Sequence, residues 1–203
     1  MRDKQRAETR RRLYHAALEV FSTDGVDSCR IEDIALRADV SRAAFYFHFP
    51  TKDDVLLELL MEAEQPMVEA LRALPPSASL QAYFDVFIRS LSEFWTQGER
   101  KNLLIDVFAS QLRRVRHLAQ DRRAELTREV MAERFRRAHQ DGEVNPMMPP
   151  ELLADFFLLN CMAAMASWCA QPLMSLPDTL HGVVHLFMQG AKPPAELPKG
   201  TPQ

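Results

Sequence analysis

Three features predict an all-helical chain. Leu, Ala, Met, Arg and Glu outnumber the β-branched residues, glycine is scarce at 6 in 203 residues, and apolar positions recur at three- and four-residue steps. The proline, glycine and asparagine breaks between those runs leave room for about nine helices. With 47% apolar residues a substantial core can be buried, and 26% charged residues is ordinary for a soluble protein.

The first helix is predicted over 10–23, with Leu13, Ala16, Ala17, Val20 and Phe21 on one stripe and Asp24-Gly25 as its stop. Ser28 or Cys29 is expected to cap a second, short helix in which Ile31, Ile34, Ala35 and Ala38 face inward. Asp39-Val40 makes a turn, and Ser41 caps a third helix over 42–49. Phe45 and Phe49 are four apart, so their rings pack on the same side, and the 100° step throws Tyr46, Phe47 and His48 onto other faces. Pro50 ends that helix, and Thr51 caps a long fourth one, with Asp53 and Asp54 in its positively polarised first turn.

The fourth helix runs as far as Pro75-Pro76-Ser77. Further helices are predicted over 80–96, 100–112, 116–140, 150–170 and 177–189, with a weak break at 113–115. The proline-rich segment 191–203 is expected to fray. A cut near Thr51 divides the chain into residues 1–51 and a larger helical part, 52–190. No linker separates the two parts, so the fourth helix belongs to both.

Net charge is −3, but its distribution is uneven. Residues 1–52 hold ten Lys/Arg against eight Asp/Glu, and the rest is acidic. Arg2, Lys4, Arg6, Arg10, Arg11 and Arg12 crowd the first twelve positions, which suits either an anionic partner or a solvated tail. Cys29, Cys161 and Cys169 have no metal or redox spacing, which implies a reducing cytoplasm. The charged N-terminus has no apolar h-region, so no signal peptide is expected. The apolar run 156–170 is too short to span a bilayer comfortably, and no membrane partner is assigned.

The chemistry concentrates between residues 30 and 52. An exposed aromatic group needs a cover, and DNA is a plausible one. Arg42 has the fork geometry for phosphate or for guanine, while Ala43 and Ala44 let the backbone approach a groove floor and offer methyls to thymine. The run Phe21, Gly25, Ile34-Ala35, Val40-Ser41-Arg42, Tyr46 and His48-Phe49-Pro50-Thr51-Lys52 resembles the DNA-binding domain of the tetracycline-repressor (TetR) family of bacterial regulators. A weaker echo is Asp141-Gly142-Glu143-Val144-Asn145-Pro146, the loop that in this family leads into the first helix of the dimer interface.

The resemblance implies a three-helix helix-turn-helix domain joined by the long fourth helix to a larger helical domain for ligand binding and dimerisation. It implies that Arg42, Ala43 and Phe47 face base edges. Ser41, Tyr46, His48 and Lys52 would take phosphates, together with groups near Cys29 and Arg30. Four positions depart from the family pattern: Asp39 stands for the usual turn glycine, Cys29 and Arg30 for threonines, and Phe47 for a hydrogen-bonding residue. Ser41 and Thr51 would cap helices in any protein, so they are not diagnostic alone.

The resemblance also implies a homodimer formed through the last two helices, and a pocket for a small effector. Candidates for that pocket are Phe84, Phe87, Phe94, Trp95, Phe108, Met131, Phe135, Met162, Met165 and Trp168, each of which can equally fill a core. The shortage of obvious buried charges points to an uncharged, apolar effector, because the arginine-rich run 113–137 reads as a solvated face. His181 and His185 have metal-ligand spacing but no evident third ligand, so no metal is assigned. No nucleophile elbow, phosphate loop or catalytic acid pair occurs, so neither a cofactor nor an enzyme is expected. The expected function is a ligand-released repressor of transcription. An activator or partner-controlled regulator, and a helical small-molecule carrier, stand as alternatives.

Overall fold

The computed structural model describes residues 2–98, 100–115, 126–145 and 147–191. Among these it has nine α-helices and no strand: α1 Arg2–Asp24, α2 Ile31–Arg37, α3 Arg42–His48, α4 Lys52–Arg72, α5 Leu80–Trp95, α6 Arg100–Val115, α7 Leu126–Gln140, α8 Pro150–Ala170 and α9 Leu176–Ala191. The expected tail from residue 192 onward lies outside the described residues, as does the expected helical stretch 116–125.

Helix α1 starts eight residues earlier than its apolar stripe predicts. Residues 2–8 are exposed, so they show no apolar period, yet the helix is held by local bonds. The Thr9 hydroxyl donates to the Gln5 carbonyl at 2.9 Å, and Arg11 pairs with Glu8 at 3.1 Å. The start of α2 also differs from expectation. Arg30, not Ser28 or Cys29, is the N-cap residue, in extended conformation and without a side-chain cap bond, while Cys29 is buried.

Ser41 caps α3 as its sequence suggests, its side chain accepting from the Ala44 N–H at 3.2 Å. The helix stops at His48 because Pro50 forces Phe49 into extended backbone (φ −134°, ψ 101°). Thr51 begins α4, and the Asp54 carboxylate returns to accept the Thr51 N–H at 2.8 Å, one half of a capping box. Pro66 lies inside α4 and can give no N–H to the helical ladder. Helix α6 runs through the predicted break at 113–115, to the last residue described in this stretch.

Two compact units can be separated. One comprises residues 1–65 and 91–124, and the other 66–90 and 125–203. The division is not the cut near residue 51 read from sequence. It passes through α4 and α5, and it assigns α6 to the unit that carries α1, α2 and α3. In the first unit Leu13, Ala17, Phe21, Ile34, Phe45, Phe49 and Leu59 form the buried centre.

In the second unit α8 packs on α7 and α9, burying Leu153, Ala154, Phe157, Cys161 and Met165 along one side. The other side of α8 is uncovered in a single copy, with Leu152, Phe156 and Leu159 at 37%, 44% and 56% exposure. Helix α8 is also long and apolar enough to cross a membrane by length and composition, although here it forms part of a helical core. Burial pushes the Cys161 thiol up to about 12, which fits a small core hydrophobe better than a reactive group.

Candidate nucleic-acid interface

The turn between α2 and α3 is tight because Asp39 adopts left-handed backbone with φ 52°, the only non-glycine positive φ among the described residues. An aspartate tolerates that region better than most residues, which lets it replace a turn glycine here. Val40 donates back to the Ala35 carbonyl at 3.0 Å and closes the turn. Helix α3 is thereby held by Ser41 at one end and by two fully buried rings, Phe45 and Phe49, whose centroids are 5.9 Å apart.

What this support leaves outside is a compact face. Arg42, Ala43, Tyr46 and Phe47 are exposed and Ala44 is half-buried. Phe47 is 65% exposed, a large apolar surface left open to solvent. The Arg42 guanidinium lies 3.5 Å from the Tyr46 hydroxyl and over the Tyr46 ring at 5.6 Å, and it pairs with Glu32 of α2 at 3.1 Å. These contacts hold the fork in place at the start of the helix while leaving it accessible.

Two expected positions differ in their surroundings. His48 is not on an open face: it is buried, and burial first, then Arg10 and Arg6, push its pKa below the ordinary histidine range. Lys52 has its ammonium engaged by carbonyl oxygens of Val26 and Cys29, each at 2.7 Å, and of Asp27 at 3.3 Å. That arrangement fixes the loop ahead of α2 and so the position of the exposed Arg30.

Several participants escape a reading based on motif spacing. Arg10 donates to the His48 carbonyl, pairs with Glu58 of α4 and lies over the Phe49 ring at 4.2 Å. Arg6 lies over the Phe47 ring at 5.0 Å. Leu36 of α2 is 81% exposed close to the turn. A signal for the arginines existed: Arg2, Arg6 and Arg10 continue, in steps of four, the stripe that Leu13, Ala17 and Val20 begin.

The expected pocket residues are divided between the two compact units. Phe94, Trp95 and Phe108 lie in the first unit, with Arg100 over the Phe94 ring at 4.0 Å. The second unit holds Phe84, Phe87, Met131, Phe135, Met162, Met165 and Trp168. Phe84, Phe87, Met131, Phe135 and Met165 are buried, whereas Met162 and Trp168 are only half-buried on α8. Phe157 and Phe187, which the sequence reading passed over, complete the ring cluster with centroids 5.4 Å apart.

Arg134 corrects the expectation of a solvated arginine face. It is 3% exposed, donates to Glu143 at 2.8 Å and to the Ala78 carbonyl at 3.4 Å, and its guanidinium lies 5.5 Å from the Tyr83 ring centre. His181 is bound through Nδ1 to the Pro177 carbonyl at 2.8 Å. Among the described residues no group of three or more His, Cys, Asp or Glu has metal-binding geometry.

A sequence model described as "Bacterial regulatory proteins, tetR family" matches residues 13–59, the stretch that builds this face. This stretch of the chain is similar to the N-terminal domain of that family. The HTH-type transcriptional regulator SrpR of Pseudomonas putida is 43% identical over 60 residues, covering 30% of this chain and 28% of SrpR. The HTH-type transcriptional repressor BepR of Brucella suis biovar 1 (strain 1330) is 27% identical over 204 residues, covering 95% of this chain and 96% of BepR.

Alignments with relatives of 34% identity or more span half or less of those relatives' lengths. Among solved structures, Thermus thermophilus FadR, a TetR-family transcriptional repressor in complex with lauroyl-CoA, superposes with a TM-score of 0.73 at 24% identity. That match covers 94% of this chain and all of FadR, and it shows the common fold.

Proposed function

We propose that the protein is a homodimeric, sequence-specific repressor of transcription in the cytoplasm, released from its operator by a small, largely apolar effector. The observation that carries this reading is the Ser41-capped helix α3. It presents Arg42, Ala43, Tyr46 and Phe47 outward over a core of Phe45 and Phe49. In this reading residues 1–51 are the DNA-binding domain and 52–190 the effector-binding and dimerisation domain.

Arg42 reads a base edge by its bidentate fork, Ala43 and Phe47 make apolar contacts in the groove, and Tyr46 and Ser41 reach phosphates. Ala44 lets the backbone approach closely. Arg30 adds a phosphate contact, and His48 and Lys52 support the face from beneath. Because phenylalanine offers no hydrogen bond, selectivity rests mainly on Arg42 and on DNA shape.

A second copy would cover the open side of α8, where Phe156 and Leu159 are exposed, and the exposed Leu186 of α9. The ring cluster of the second unit supports an apolar effector. FadR was solved with lauroyl-CoA and SmeT with triclosan, two ligands with large apolar parts. An effector acts by favouring one position of the recognition helices over another, so that a dimer no longer fits successive major grooves.

The test is selection of bound sequences from a random duplex pool, with and without candidate apolar ligands. A recovered consensus with two-fold symmetry is expected, lost on Arg42→Ala. That substitution should weaken binding to the consensus by about 1–3 kcal/mol and relax the preference at one position in each half-site. Unchanged affinity and selectivity would remove Arg42 from the reading face.

A further inference from the structure

The sequence sets a cluster of cations at the N-terminus that the helix-turn-helix reading leaves without a task. The structure gives those residues a helix and a direction. On α1, Leu13, Ala17 and Val20 form the stripe that packs into the first unit, and all three are buried. The same stripe, followed back three residues from Leu13 to Arg10 and then four at a time, passes through Arg6 and Arg2. The side of α1 that faces protein at its C-terminal half therefore becomes a row of guanidinium groups at its N-terminal half.

The three arginines are not equivalent. Arg10 is absorbed by the fold through Glu58, the His48 carbonyl and the Phe49 ring. Arg6, one turn on, has left the core and lies 5.0 Å over the exposed ring of Phe47, on the outward face of α3. Arg2 lies a further turn away, about 12 Å along the axis from Arg10 at 1.5 Å per residue. Among the described residues no ion pair engages Arg2 or Arg6. The nearby Glu8 goes to Arg11 instead.

Like charges at i, i+4 spacing disfavour a helix unless an anion answers them. The row is aimed past Phe47, the residue with the largest exposed apolar surface on α3. The repeating anion beside a ring seated in the groove is backbone phosphate.

We propose that the first two turns of α1 are a second DNA-contacting element. Arg2 and Arg6 bind phosphates beside the groove that α3 enters, and Arg6 at the same time fixes the Phe47 ring against the groove wall. The inference rests on the reading of α3 as the helix that enters DNA. It makes two regions far apart in the motif, residues 2–6 and 42–47, parts of one surface. Arg2 and Arg6 supply affinity that depends on salt, and Arg42 supplies selectivity.

The experiment measures affinity of the full chain for its selected duplex by fluorescence anisotropy, as a function of salt. Wild type, Arg2→Gln/Arg6→Gln, Arg6→Lys and Arg42→Ala are compared, with helicity checked by circular dichroism. Glutamine keeps helix propensity at these exposed sites while removing the charge. Because each duplex holds a dimer, the double variant removes four cations and should show a log affinity against log salt slope shallower by about 3.6, with base preference retained. Wild type should accordingly lose about a hundredfold more affinity than the double variant between about 50 and 200 mM salt.

Arg6→Lys should keep the wild-type slope. A double variant with unchanged slope overturns the proposal, and so does an Arg6→Lys slope as shallow as that of the glutamine change. Failure of the wild-type chain to bind any duplex at low salt would sink the reading of α3 itself. Selective binding that depends on Arg42 but not on Arg2 and Arg6 would sink only the present inference.

Discussion

The two compact units are cemented by different chemistry. In the first, directional polar contacts tie helices α1 and α6 to α4. Arg10 pairs with Glu58, the Tyr14 hydroxyl donates to Glu62 at 2.6 Å, Arg100 reaches the same Glu62 at 2.9 Å, and Arg113 meets Asp53 at 2.8 Å and 3.3 Å. In the second, where Arg128–Asp155 and Arg136–Glu151 also pair α7 with α8, aromatic rings fill the buried centre. Phe157 has ring neighbours at 4.9 Å (Phe84), 5.3 Å (Phe87) and 5.4 Å (Phe187).

Hydrogen bonds and ion pairs fix angles, because they weaken steeply when misaligned. Ring packing holds volume more than angle, and cores of this kind tolerate rearrangement at similar volume. A unit that must present Arg42 and Phe47 at set positions needs the first kind of contact. On the proposed reading, a unit that accommodates an apolar effector is served by the second.

The comparison is broken most severely by removing Phe157. Phe157→Ala takes out a fully buried ring with three close neighbours, so a loss of about 3–5 kcal/mol is expected in urea unfolding. A loss under about 2 kcal/mol would mean that the neighbouring rings collapse into the space, which would make the cluster even more plastic than argued.

Tyr14→Phe probes the polar side with a smaller effect, about 1 kcal/mol, since it deletes one hydrogen bond and leaves Glu62 paired with Arg100. Burial, and then the Glu62 carboxylate, raise the Tyr14 pKa well above its ordinary 10. The neutral phenol is therefore favoured in the folded state. Its contribution should be fully present below pH 10 and should fall as pH rises above that value, a slope that Tyr14→Phe should flatten.

The smallest expected effect is at His48. Its pKa is lowered by burial and by Arg10 and Arg6, so the unfolded chain takes up a proton more readily than the folded one. The resulting stability is present above about pH 6.5 and is lost as pH falls below it. Urea midpoints measured between about pH 7.5 and 5.5 should decline for wild type, and should decline less for His48→Gln.

Much of the first unit was legible because its signals are local. Ser41 needs only the Ala44 N–H three residues away, Pro50 acts on the residue before it, and Asp39 declares a turn by its place between two apolar periods. The first eight residues of α1 were not legible, because a helix exposed on all sides has no apolar period to read. Lys52 misled for a different reason. Its motif position suggests phosphate, but the carbonyls that engage it come from residues 26 to 29, a long-range contact that no spacing rule encodes.

Arg134 was hidden in a run of arginines whose other members are exposed or half-buried where they are described. Its burial depends on Ala78, Tyr83 and Glu143, which lie far from it in sequence or across a turn. The apolar character of α8 was plain in the sequence. Which of its sides a single copy leaves bare was not, because composition all round the helix gives no preferred direction.

Pro66 carries one more consequence. The ladder bond that would run from residue 66 to the carbonyl of Glu62 is absent by covalent structure. It is missing one residue from the line along which the two compact units divide. Zipping and fraying along a helix propagate through consecutive bonds, so this gap is where cooperativity is weakest. By its backbone assignment α4 is one helix from Lys52 to Arg72. Seen through local unfolding, it is two segments that can open separately, and the one bearing Asp53, Glu58 and Glu62 need not melt when the other does.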